Sequence, residues 1–109
     1  MINDYFKEVR TLSLQKKQFF KNYLSYARKI KEITKGEVII FGSIVEGKET
    51  MASDIDLLVV LESLEQGKRE EIMSEINSVL GYYHPFEIHL VDNKGKKWYM
   101  RFIKNFVIV

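Results

Sequence analysis

Asp54 and Asp56 stand two residues apart, immediately ahead of an apolar run from Leu57 to Leu61, with ten residues separating Asp54 from the pair Gly42-Ser43. In a strand, side chains at i and i+2 leave on the same side. The two carboxylates therefore project together, about 7 Å apart along the chain. Acids held that close repel, and a shared proton or a bound cation must offset the cost. Carboxylate, water and phosphate oxygens suit Mg²⁺, which keeps a substrate phosphate in its shell more readily than it fills an all-protein cage. Gly42 can supply that phosphate's seat, because a residue without Cβ lets the backbone approach a ligand. Ser43 would open a short helix or turn through Gly47, with its N–H and hydroxyl offered to an anion. For the two parts to share a site, the strand ending at Gly42 must run antiparallel to the strand beginning at Asp54, joined by the loop 43–53.

A third acid is wanted, to take a proton or complete a metal site. Glu87, near the start of an alternating segment, fits best, and Asp92 at its end is the alternative; spacing alone compels neither. His84 and His89 read as structural or surface residues, although His89 shares Glu87's side of the strand. With only these two histidines and no cysteine, a zinc site is not expected.

The elements that must hold these groups follow from periodicity. Phe20, Tyr23, Leu24, Ala27 and Ile30 recur at helical spacing within 14–34, and Lys35-Gly36 is a stop. Residues 37–41 and 55–61 are rich in β-branched and aliphatic side chains, as buried strands are. Ser63 to Leu80 returns to helical spacing, with Ser63 and Gln66 as a capping box and Gly81 as its end. Residues 86–91 follow Pro85 as a third strand. Lys94 to Lys104 predicts a basic helix with Trp98 and Phe102, four apart, packed on the sheet. Phe106 to Val109 is a last strand or a partner-binding tail. Helices alternating with strands indicate an α/β or α+β class.

The chain has 109 residues, which points to one domain, and its net charge is only +2. The charge is uneven: acids gather between Glu46 and Glu75, while 94–104 holds Lys94, Lys96, Lys97, Arg101 and Lys104 with no acid. No segment reaches the roughly 20 apolar residues of a membrane span, and 1–10 lacks the apolar core of a secretory leader. A cytoplasmic location is the expectation.

Gly42-Ser43, ten residues, then Asp54-Ile55-Asp56 resemble the signature of the DNA polymerase β-like nucleotidyltransferases. The short chain and the run Ser53-Asp54-Ile55-Asp56-Leu57-Leu58-Val59 resemble its minimal nucleotidyltransferase (MNT) group. The resemblance implies a mixed sheet of three to four strands with helices packed on it, residues 1–109 forming a single domain. It implies that Asp54, Asp56 and Glu87 are catalytic and hold Mg²⁺, and that Gly42 and Ser43 grip a nucleotide triphosphate. Relatives commonly carry arginine where this chain has Glu46, so Lys48 is the substitute cation. The implied reaction moves a nucleoside monophosphate, AMP from ATP first of all, to a hydroxyl of a macromolecule, with RNA among the partners. MNT proteins are often antitoxins paired with a small helical HEPN toxin. The alternative is an antitoxin or nucleotide-binding module that acts by occlusion without catalysis, a reading the missing arginine motivates.

Overall fold

Val38, Ile39 and Ile40 of β1 (Glu37–Phe41) and Leu57, Leu58 and Val59 of β2 (Ile55–Val60) are fully buried. Strands apolar on both faces need cover on both faces, and the helices supply it. The computed structural model describes residues 2–50 and 52–109, without the side chains of residues 2–6 and 8–12. Helices α1 (Ile2–Lys21) and α2 (Tyr23–Thr34) precede β1, and the short α3 (Ser43–Glu46) follows it. After β2 come α4 (Lys68–Leu80), β3 (Phe86–Val91), α5 (Asn93–Met100) and β4 (Phe106–Ile108). The sheet has the order β3-β2-β1-β4.

The predicted antiparallel pairing of the first two strands is present, with Phe41 opposite Asp56 and Glu37 opposite Val60. β3 runs parallel to β2, so α4 serves as the crossover, and Asp56 lies beside Glu87. The C-terminal segment is a strand: β4 pairs antiparallel with β1. Val109 extends that pairing by donating its N–H to Val38 O at 2.9 Å, and Lys31 Nζ donates to Val109 O at 2.6 Å.

One face of the sheet sets Val38, Ile40, Ile55, Leu57, Val59, Phe86 and Leu90 against Ala27 and Ile30 of α2 and Ile72, Ile76 and Leu80 of α4. The opposite face sets Ile39, Leu58 and Val60 against Phe41, Val91, Tyr99, Met100 and Ile103. α5 therefore covers the second face only in part. Beyond its cover, the alternation of β2 and β3 brings Asp56, Glu87 and His89 to that same face.

Three expectations change in the folded chain. The helix predicted over 14–34 is interrupted at Asn22, between α1 and α2. The Ser63–Gln66 capping box does not form, because Leu61 N–H still bonds to Val91 O at 2.8 Å and Leu64 packs on the core, which delays the helix to Lys68 after Gly67. Trp98 and Phe102 do not pack on the sheet; they are 54% and 66% exposed. Gly95, whose added Cβ would come within 2.8 Å of Val91 Cβ, turns the other stripe of α5 inward, and Lys96 pairs with Glu37 at 2.5 Å. Tyr99 and Ile103, also four apart, continue that stripe.

This orientation of α5 predicts a reversed order of substitution costs. Ile103→Ala should lower the unfolding free energy by about 1 kcal/mol or more, whereas Phe102→Ala should stay within about 0.5 kcal/mol. Urea denaturation of the two variants checks it, and the opposite ranking would contradict the packing.

Candidate active site

Side-chain alternation in two adjacent parallel strands builds the site. Asp56 on β2 stands beside Glu87 on β3, and His89 lies two residues further along β3. One ligating atom from each of Asp56, Glu87 and His89 falls within 4.8 Å of the others. His89 Nε2 is 3.7 Å from Asp56 Oδ1 and 3.9 Å from Glu87 Oε1. The Glu87 side chain is the most open of the three, at 56% exposure, so an incoming group can reach it.

The imidazole is held from behind. Tyr99 Oη and His89 Nδ1 are 3.1 Å apart, and the His89 ring also lies against Phe41 and Tyr99. That hydrogen bond governs what Nε2 can do. With Tyr99 donating to Nδ1, Nε2 carries the proton and faces the acids as a donor. With Nδ1 donating to Tyr99, Nε2 presents a lone pair to a cation. Burial first, and then the charge of Glu87 and a hydrogen bond with it, push the Asp56 carboxyl above the ordinary aspartate range; His89 draws it back in part.

Gly42, between the end of β1 and α3, presses on this cluster. Its φ of 88° and ψ of −159° lie in a region that only glycine occupies without strain. A Cβ there would fall on the Asp56 carboxylate. Ser43 then opens α3, as the sequence predicts, and Val45 and Glu46 donate their N–H groups to Gly42 O at 3.1 and 3.3 Å. Lys48, exposed just beyond Gly47, donates its N–H to Ser43 O at 2.9 Å.

The remaining predicted residues fall elsewhere. Asp54 lies on the exposed lead-in to β2, outside the three-residue cluster. It borders a hollow of about 340 Å³ shared with Lys16, Tyr82, Tyr83, His84 and Pro85. Asp92, the alternative third acid, caps α5 by accepting from Gly95 N–H at 2.9 Å. His84 is structural: its Nδ1 accepts from Phe86 N–H at 3.1 Å, and burial holds its pKa below the usual histidine value. A hollow of about 650 Å³ lies at the other end of the sheet around Gly36, Glu37 and Val60, and neither Asp56 nor Glu87 lines it. His89 is the residue that sequence reasoning undervalued. The signal was its two-residue spacing from Glu87; its proximity to Asp56 required the strand register.

Two carboxylates and an imidazole, open to solvent on one side, fit a divalent cation: the oxygens suit Mg²⁺, and the nitrogen adds affinity for Mn²⁺. The nucleotidyltransferase domain family matches residues 9–108. The chain belongs to that family. No curated protein matches it. Among solved structures, the crystal structure of a candidate nucleotidyltransferase is 28% identical, with a TM-score of 0.64, covering 81% of this chain and 98% of that one. A second candidate nucleotidyltransferase, from Sulfolobus solfataricus, shares the fold at 19% identity and a TM-score of 0.56, over 89% of this chain and 85% of its own. Among the described residues, no helix is long and apolar enough to cross a membrane.

Two outcomes are expected of this nucleotidyltransferase domain. Gly42→Ala should cost about 1–3 kcal/mol of stability through backbone strain and displace the Asp56 carboxylate; thermal denaturation and a crystal structure of the variant check this. Asp56→Asn should stabilise the metal-free protein while weakening cation binding. The sign follows from the raised carboxyl: between the unfolded value of 3.8 and the higher folded value, the folded state holds more protons. Metal-free stability therefore falls as pH rises through that window. The Asn variant should lose this slope, as denaturation at several pH values in chelator will reveal.

Proposed function

We propose that residues 1–109 act as a single minimal nucleotidyltransferase domain that moves a nucleoside monophosphate, AMP from ATP first of all, to a hydroxyl on a macromolecular acceptor. The observation that carries this reading is the convergence of Asp56, Glu87 and His89 within 4.8 Å, with Gly42 tight against the Asp56 carboxylate. Asp56 and Glu87 hold Mg²⁺, and Asp54 extends the ligand set from the lead-in to β2. When bound, the cation neutralises the triphosphate and the departing pyrophosphate. Gly42 and Ser43 seat the β- and γ-phosphates, and exposed Lys48 supplies the cation that Glu46 does not.

In the transfer step, the acceptor oxygen attacks the α-phosphorus and the bond to the bridging oxygen breaks. Pyrophosphate carries that electron pair away, and the acceptor's proton passes to Glu87, whose exposure admits a hydroxyl. Positioning and charge stabilisation supply the rate, and no covalent enzyme intermediate is needed.

A HEPN-type toxin is one acceptor this reading accommodates, with the chain as cytoplasmic antitoxin. Exposed Glu46 beside the Gly42-Ser43 turn favours the second reading, neutralisation by occlusion. Incubation with α-labelled ATP, Mg²⁺ or Mn²⁺, and either RNA or the co-expressed product of the neighbouring gene separates the two. Catalysis predicts label on the acceptor, lost in Asp56→Asn and in Glu87→Gln. Occlusion predicts no label, with toxin neutralisation intact in both variants.

A further inference from the structure

The outward side of α5 and of the turn that follows it carries aromatic surface that the fold does not use. Trp98 and Phe102, largely exposed, stack edge to face with centroids 5.1 Å apart. The Arg101 guanidinium lies 6.0 Å from the Phe102 centroid. Lys94, Lys97, Arg101 and Lys104 are exposed around these rings, and no acid occurs between 94 and 104. The rings connect to the candidate active site: Trp98 meets Tyr99 at 5.2 Å, and Tyr99 meets His89 at 5.2 Å.

We infer that this shelf binds a single-stranded nucleic acid and that the strand is the acceptor, an inference that rests on the nucleotidyl-transfer reading above. Exposed rings give unpaired bases a stacking surface, and the surrounding cations pair with the phosphates between them. A protein partner fits less well, because burying the rings would also bury their lysines, and interface centres are depleted of lysine. A duplex keeps its base faces stacked and offers the rings nothing. A strand lying along Phe102 and Trp98 reaches Tyr99 and then His89, which brings its terminal hydroxyl to Glu87. There the hydroxyl oxygen bonds to the α-phosphorus of the nucleotide, pyrophosphate leaves, and Glu87 receives the proton.

Trp98 is the chain's one tryptophan, so its fluorescence reports on the shelf alone. The full chain is titrated with an oligoadenylate of about a dozen nucleotides, following Trp98 emission and the anisotropy of a labelled strand. Quenching and anisotropy should share one midpoint. Phe102→Ala should weaken binding at least about fivefold. Arg101→Glu should weaken it and reduce the salt slope by about 0.7 or more, and the same strand in a duplex should not quench. Strand binding without quenching, or indifference to Phe102→Ala, would overturn the assignment. Emission that shifts with protein concentration in the absence of RNA would overturn it in favour of a second copy of the chain. No strand binding by a protein that still binds Mg²⁺ and ATP would reject the acceptor and leave nucleotidyl transfer standing. Quenching that persists in a chain unable to transfer label to any acceptor would reject the transfer and keep the shelf.

Discussion

Two carboxylates from neighbouring strands, forced together where the sheet is open, are the constraint around which this molecule is arranged. Asp56 and Glu87 are adjacent because β2 and β3 are in parallel register, and that register is fixed by the apolar alternation on the covered face. A slip of one residue would turn Ile55, Leu57 and Val59 out of the core and the acids into it. The hydrophobic pattern that stabilises the sheet thus also enforces an electrostatic cost at its rim. Burial raises the Asp56 carboxyl first and the neighbouring Glu87 charge adds to it; a bound cation would offset that second contribution.

The second face divides its labour. At one end, Ile39, Leu58 and Val60 meet Tyr99, Met100 and Ile103, and α5 is anchored. At the other, the same face is polar and reachable. Tyr99 belongs to both ends, packing beside the apolar cluster while its hydroxyl meets His89. Any shift of α5 therefore changes the angle of the imidazole relative to the acids, although α5 contributes no member of the cluster.

Much of this was legible in the residues. The antiparallel first pair, the third strand, the stop at Gly81 and the placing of Gly42 beside Asp56 follow from β-branched runs, glycine punctuation and the two-residue period, whereas Asp54 stands outside the cluster. The start of α4 was not, because Ser63 and Gln66 satisfy a local rule that the ladder at Leu61 and the packing of Leu64 override. The face of α5 was not legible either. Trp98/Phe102 and Tyr99/Ile103 have the same spacing, and only the close approach of Gly95 to Val91 selects between them. His89 was hidden for a different reason: a strand's own sequence shows which residues share a side, but not which strand lies next to it.

The route from β2 to β3 passes through α4, while β1 and β2 are joined by the shorter connection that holds the single turn of α3. Pairing across the shorter span loses less chain entropy and can precede pairing across the longer one. The turn that would seat phosphates can then exist before Glu87 and His89 arrive. On that order, Gly42 and Asp56 would be in place before the strand that carries Glu87 and His89, so the three-residue cluster would be among the last features a chain emerging from its synthesis completes.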